Sequence, residues 1–323
     1  MKHLLYCLDY HHGQATRVVA GGMPHLPGET MEDRQEFLAR NLGYLVGSLC
    51  REPRGHRQML GAIATPPVTP GAQAGLIFLH PDGYFGMCGD SLFSAVTGMV
   101  ETGMLITSGP RSQFVIDTVQ GPLEVEVRLD DQGEVAGVTM ENVASYPVGE
   151  TSLVVGDAEI RMDIAFGGLY YGFVAAGDVG LDLKEAGIDE IVKVGSQVFV
   201  EAARQVQLQD PVTGRDHSLD LITLYQPVEP SVHRVANFYA EGTMGRTPSG
   251  TGLSARVALE QARGSLKEGE TFFHESPLGL RFSGEANLRD GRVRPRITAR
   301  SYLMGINIIT VLPEDPFGEG FSL

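Results

Sequence analysis

Cys88 stands in Gly86-Met87-Cys88-Gly89-Asp90-Ser91, directly before an apolar run from Leu92 to Val100. Ser249 stands in Arg246-Thr247-Pro248-Ser249-Gly250-Thr251-Gly252, directly before Leu253-Ser254-Ala255-Arg256-Val257-Ala258-Leu259. Each is a small nucleophilic or acid/base residue followed by glycine and a segment of helical periodicity. Almost half of the 323-residue chain separates them. A helix N-terminus presents unpaired N–H groups and about half a positive charge. Cys88 is therefore expected to have a lowered pKa and to be partly thiolate at neutral pH. Gly89 allows close approach of backbone to a ligand, and the N–H groups of Gly89, Asp90 and Ser91 are candidates to hold a carboxylate. Ser249, with Gly250 and Thr251, offers a second helix end of the same kind. If the two ends face each other across a cleft, one carboxylate held by both presents its Cα between Cys88 and Ser249. The plainer readings are a buried structural cysteine and a serine that only caps its helix.

The pairing is asymmetric. A serine hydroxyl lies far above a thiol in pKa and is no ready base at pH 7 without an activating partner. No histidine adjoins Ser249; His233 and His274 are the nearest. Cys88 is thus the expected base, and Ser249 is expected to orient substrate or to assist departure of a leaving group. His11 and His12 adjoin but lack companion ligands for a metal, and they read as part of a turn.

The elements that position these residues follow from pattern. Leu4–Val19 reads as a strand interrupted at His11–Gln14, and Glu32–Cys50 as a helix. Strands are expected at Gly61–Thr65 and Gly75–His80, then a helix that begins just after Cys88 and ends near Gly103. From Gln113 the texture is β, with strands at Phe114–Val119, Leu123–Leu129, Val135–Asn142, Ser152–Val155 and Glu159–Ala165. A helix at Ile188–Val206 follows, then strands near Leu219–Tyr225 and Arg234–Tyr239 and a helix at Leu253–Arg263. The end returns to strands at Leu280–Ala286, Arg292–Ala299 and Tyr302–Leu312. Strands, loop and helix thus occur twice, which suggests two related halves.

Composition narrows the function classes. A formal charge of −15 argues against a nucleic-acid or anionic-lipid partner. No apolar run approaches the roughly 18 residues of a membrane-crossing helix. The N-terminus reaches Asp9 too early for the apolar region of a signal peptide. Three cysteines do not make a disulfide framework. The expectation is a cytoplasmic protein with free thiols.

Longer motifs add a resemblance. Met87-Cys88-Gly89 with Ala95-Val96-Thr97-Gly98-Met99-Val100-Glu101-Thr102-Gly103 resembles the first active-site signature of the proline racemase superfamily, and Arg246 to Arg256 resembles the second. Glu52-Pro53-Arg54-Gly55-His56, Pro66-Pro67-Val68-Thr69-Pro70, Phe166-Gly167-Gly168 and Pro313-Glu314-Asp315-Pro316-Phe317 are similar to further family segments. The resemblance implies an α/β, diaminopimelate-epimerase-like fold. Its two pseudo-symmetric halves each have a curved β-sheet around a central helix, and the active site lies between them. The halves are expected at residues 1–112 with 300–323, carrying Cys88, and at 113–299, carrying Ser249.

The resemblance also implies cofactor-independent chemistry, with no metal, on a small imino or amino acid; a homodimer is left open. Two-thiol members racemise proline or epimerise 4-hydroxyproline. Members with a single thiol, such as the trans-3-hydroxy-L-proline dehydratases, abstract one proton and lose a β-hydroxyl. One thiol across the two helix entries, and Asp82-Gly83-Tyr84 before it, favour the dehydratase. Proline racemase, 4-hydroxyproline 2-epimerase, and a binding relative without catalysis are the alternatives. Two positions depart from the family: Asp90 replaces a histidine, and Gly245 replaces an aspartate that pairs with the substrate nitrogen. Asp90 is read either as the replacement negative charge or as a helix N-cap.

Overall fold

The computed structural model describes residues 2–211, 214–240 and 242–322. The chain divides into two compact units, one running to Met140 and resuming at Ala299, the other Glu141–Thr298.

The first unit opens with β1 (His3–His11) and β2 (Ala15–Gly21), an antiparallel pair. Helices α1 (Met31–Leu42) and α2 (Tyr44–Cys50) follow. The periodicity of Glu32–Cys50 predicts one helix; the chain instead makes two, meeting at Gly43. Thr30 starts α1 with a reciprocal capping box, its hydroxyl accepting from the Asp33 N–H while the Asp33 carboxylate accepts from its own. Then come β3 (Leu60–Thr65), β4 (Ala74–His80), β5 (Gly83–Phe85) and α3 (Gly89–Glu101). β6 (Arg111–Thr118), β7 (Gly121–Leu129) and β8 (Val135–Glu141) form a meander. The sequence reading places the first boundary after residue 112, but β6 pairs in parallel with β4, Ala74 opposite Ile116, and this keeps the meander with the first unit. The strand Tyr302–Val311 returns to pair antiparallel with β1.

β1 shows why this unit has helices on both faces of its sheet. Leu5 and Cys7 pack into a core with Leu38, Leu45 and Leu49 from α1 and α2. Leu8 and Tyr10 point the other way, where a Cβ on Gly98 of α3 would lie 3.1 and 3.0 Å from their side chains. Both sets are buried, so the period-two alternation of a half-exposed strand fades toward the end of β1.

The second unit repeats this layering. β9 (Tyr146–Val155), β10 (Ala158–Phe166) and β11 (Tyr170–Ala175) pair in order. α4 (Ile188–Gln205) packs on one face, with Ile191 and Val198 against Ile164, Val174 and Ile222. α5 (Gly250–Ala262) packs on the other, with Ala255 and Leu259 against Tyr171 and Phe173. β11 continues in parallel to Leu221–Glu229, which pairs with Val232–Ala240. No helix among the described residues is long and apolar enough to cross a membrane.

Candidate active site

Cys88 is the N-cap of α3, extended at φ −144° and ψ 108°, and its carbonyl accepts the first helical bond from Leu92. Ser249 is the N-cap of α5, and both helices are 13 residues long. Gly89 and Gly250 hold the first helical position in each case, both buried. The expected pair of helix entries is therefore present, one in each unit.

Around Cys88 the charge balance differs from expectation. The N–H groups of Asp90 and Ser91 and the Ser91 hydroxyl lower the thiol pKa, as a helix end should. Burial outweighs them, and the Asp90 carboxylate adds to it, so the thiol is pushed up to about 12. Cys88 in the free protein is a neutral thiol at pH 7, which corrects the expected thiolate. It is nevertheless partly accessible, whereas Cys7 and Cys50 are buried and all three are unpaired. The Gly89 position faces Met140, whose Cε would lie 2.9 Å from an added Cβ.

Asp90 does not cap the helix, since Cys88 occupies that place. Its Oδ1 lies 3.3 Å from Nε2 of His12, which is 1% exposed. The His12 ring is fixed from its other side, with Nδ1 3.2 Å from the Ser94 hydroxyl and 3.3 Å from that of Ser301. The backbone at His12 turns as expected, but the side chain reaches the start of α3. Sequence spacing gave no sign of this contact, because β1 and α3 are far apart in the chain.

Ser249 adopts φ 65°, a left-handed conformation rare for a residue with a side chain. Its hydroxyl accepts from the Gly252 N–H at 3.1 Å, the capping bond. It also lies 2.9 Å from the hydroxyl of Tyr171, which in turn is 2.7 Å from the hydroxyl of Thr251. The Ser249 and Thr251 hydroxyls are 3.3 Å apart. Three hydroxyls thus form a closed set, and Tyr171, supplied by β11, was missed by sequence reasoning. Its signal lay beside the Phe166-Gly167-Gly168 motif. A Cβ on Gly167 would sit 2.3 Å from the Thr251 carbonyl, so glycine there lets the entry of α5 rest directly on the turn into β11.

The loop before Ser249 is held from behind. Asn237 donates to the Thr247 carbonyl at 3.2 Å, and its own carbonyl accepts from Gly245 at 2.8 Å. His274 is wholly buried, with Nδ1 3.3 Å from the Pro248 carbonyl. Burial, then the nearby His233 and Arg256, hold His274 well below the usual imidazole range. His274 therefore supports the loop through Pro248. Arg256 of α5 lies 4.2 Å over the Tyr225 ring and pairs with Glu260 at 2.8 Å. The Asp220 carboxylate accepts from the Tyr170 N–H at 2.8 Å, at the start of β11.

Residues 7–322 match the model of the family described as proline racemase. The chain belongs to the proline racemase family. It is 32% identical over 320 residues to the proline racemase of Clostridioides difficile, covering 96% of this chain and 95% of that one. It is 31% identical over 319 residues to the trans-3-hydroxy-L-proline dehydratase of Bacillus cereus, with the same coverage. A crystal structure of a hydroxyproline epimerase from Agrobacterium vitis, with bound trans-4-hydroxy-L-proline, matches with a TM-score of 0.84 at 26% identity, covering 99% and 95% of the two chains. The α/β, diaminopimelate-epimerase-like architecture expected from the motifs is thus the one observed. As a member of the proline racemase family the chain is an enzyme of the racemase, epimerase and dehydratase group.

Proposed function

We propose that this chain removes the Cα proton of a proline-like imino acid without a cofactor, and that its reaction is dehydration of trans-3-hydroxy-L-proline. Supporting this reading most directly is the hydroxyl set Ser249, Tyr171 and Thr251 at the helix entry that resembles the family's second signature, which carries no thiol in this chain. Hydroxyls are poor bases toward carbon at neutral pH but can deliver a proton to a departing oxygen. In this proposal Cys88 and Ser249 act on one substrate molecule. The Cys88 thiolate takes the Cα proton, the C–H electron pair is held as an enolate-like carbanion beside the carboxylate, and that pair then forms the Cα=Cβ bond as the Cβ–O bond breaks. The oxygen leaves as water with the Ser249 proton, which is replaced from Tyr171 or Thr251. The enamine product tautomerises to a pyrroline.

A Cα–H beside a carboxylate is very weakly acidic, so the developing charge needs fixed donors. The N–H groups of Gly89 and Ser91, with Gly250 and Thr251, are proposed to hold the substrate carboxylate. Asp90, placed by His12, is proposed to take the positive ring nitrogen in place of the aspartate that Gly245 lacks. This assignment bears on the base as well. The Asp90 carboxylate raises the Cys88 pKa in the free protein, and a substrate cation beside it offsets that charge and favours the thiolate.

The second reading is proline racemase or 4-hydroxyproline 2-epimerase, favoured by the C. difficile and A. vitis relatives. One experiment separates the readings. The protein is incubated in D2O with proline, 4-hydroxyproline and trans-3-hydroxy-L-proline, while Cα–H exchange, optical rotation and pyrroline are followed. Pyrroline from the 3-hydroxy substrate is the expected result. Inversion without pyrroline would replace the dehydratase by the isomerase, and binding without turnover would leave a non-catalytic relative. Cys88→Ser should abolish turnover; surviving activity would remove Cys88 as the base.

A further inference from the structure

His12 lies in the connection between β1 and β2 and is 1% exposed. Its Nε2 is 3.3 Å from Oδ1 of Asp90, whose side chain is 20% exposed, so of the two only the carboxylate can meet a ligand. Behind the ring, Nδ1 lies 3.2 Å from the Ser94 hydroxyl and 3.3 Å from that of Ser301, and these hydroxyls are 3.3 Å apart. Ser94 comes from α3 and Ser301 directly precedes the strand Tyr302–Val311; both are buried. The Phe93 ring stands at 87° to the imidazole, 6.5 Å away. A hydroxyl donates or accepts as required. Nδ1 is therefore satisfied with or without a proton, and His12 can be either neutral tautomer or the cation without stranding a buried polar atom. A ring that only propped Asp90 in place needs one fixed donor; this surround suits a ring whose protonation changes.

We propose that His12 takes up, through Asp90, the proton that the ring nitrogen releases as the double bond forms. This rests on the dehydratase reading above. A positive ring nitrogen stabilises the carbanion left by removal of the Cα proton, so the group beside it starts as an anion. Loss of the hydroxyl then leaves an enammonium, a nitrogen bearing two protons beside Cα=Cβ. One N–H bond breaks and an O–H bond forms on Asp90. The proton passes on to Nε2 of His12, while Nδ1 keeps its own proton in a bond to Ser94 or Ser301. Imidazole is suited to this, since it gains and loses protons readily near neutral pH. The electron pair of the broken bond stays on nitrogen and conjugates with Cα=Cβ and the carboxylate. A neutral enamine departs, Asp90 is again a carboxylate, and the stored proton returns through it to water. His12 touches no substrate and is a positioning residue acting through Asp90.

The test is incubation with trans-3-hydroxy-L-proline in D2O, following deuterium at Cα of the recovered substrate and pyrroline together. In His12→Gln the amide can still hydrogen-bond to Asp90 and to the two hydroxyls but cannot take up a proton. Pyrroline formation should fall about 100-fold, the scale of a lost general-base contribution, while Cα exchange persists. The double variant Ser94→Ala/Ser301→Ala, which strips Nδ1 of both partners, reads the same way should His12→Gln fail to fold. Equal loss of both signals in a folded variant would show that His12 merely holds Asp90, and full pyrroline formation would show that it does nothing for the step. Either result overturns the proposal. A wild type that forms no pyrroline is a different failure, removing the dehydratase reading and this step with it.

Discussion

The phenolic oxygen of Tyr171 lies 2.9 Å from the hydroxyl of Ser249, joining a buried strand of the second unit to the N-cap of α5. Tyr171 is 1% exposed, so deletion of its hydroxyl leaves the packing of its ring in place. Tyr171→Phe should lower pyrroline formation by about 100-fold, the scale of a lost general-acid contribution. Cα–H exchange in D2O should persist, since Cys88 performs that step in the proposal. Equal loss of both signals would make Tyr171 a fold element and no part of proton delivery.

Asp90→Asn removes the carboxylate that helps hold the Cys88 thiol up at about 12. The sign is fixed: a vicinal negative charge disfavours the thiolate, so its removal lowers the pKa. Alkylation by iodoacetamide reads this directly, because Cys7 and Cys50 are buried and Cys88→Ser gives the blank. The pH–rate curve for labelling should move to lower pH in Asp90→Asn. A curve that stays in place or moves upward would show that Asp90 does not control the thiol. If Asp90 also takes the substrate nitrogen, KM rises in the same variant.

His233 and His274 are buried and neutral behind the Ser249 loop, His233 lowered to about 3 and His274 well below its ordinary value. The native state therefore resists protons that the unfolded chain accepts below about pH 6.5. Stability contributed by these residues is complete above that pH and declines as acid is added, by about 1.4 kcal/mol per pH unit for each histidine. Urea midpoints should fall between pH 6.5 and 5, and His233→Phe should reduce the slope. A flat midpoint over that interval would contradict the buried neutral state.

Gly195 of α4 sits directly on Phe238, whose ring carbons would lie 2.0 to 2.6 Å from an added Cβ. Phe238 is fully buried and has no room to retreat. Gly195→Ala should destabilise the protein by about 1–3 kcal/mol through overpacking, despite the better helix propensity of alanine. Urea unfolding measures it, and a gain in stability would mean that α4 stands further from the sheet.

The helix entries at Cys88 and Ser249 were legible because glycine, turn residues and helical spacing are local signals. β11 was not. Tyr170–Ala175 is buried on both faces, Tyr171 and Phe173 toward α5 and Val174 toward α4, so it has neither alternation nor turn residues to mark it. Gly172 in its middle further obscures a strand. The thiol pKa was misjudged for a related reason: the helix end is visible in sequence, whereas burial and the aim of Asp90 arise only on folding. Likewise, β6–β8 look like the strands that follow them, and only pairing with β4 decides which unit they join.

The pairing of β1 with Tyr302–Val311 has a consequence for synthesis. Among the described residues the first strand in chain order is hydrogen-bonded to the last. The unit Glu141–Thr298 is contiguous and has all of its strands translated while β1 still waits with an open edge. The usual order of assembly, amino end first, is thus inverted by topology, and the half that carries Cys88 is completed after the half that carries Ser249.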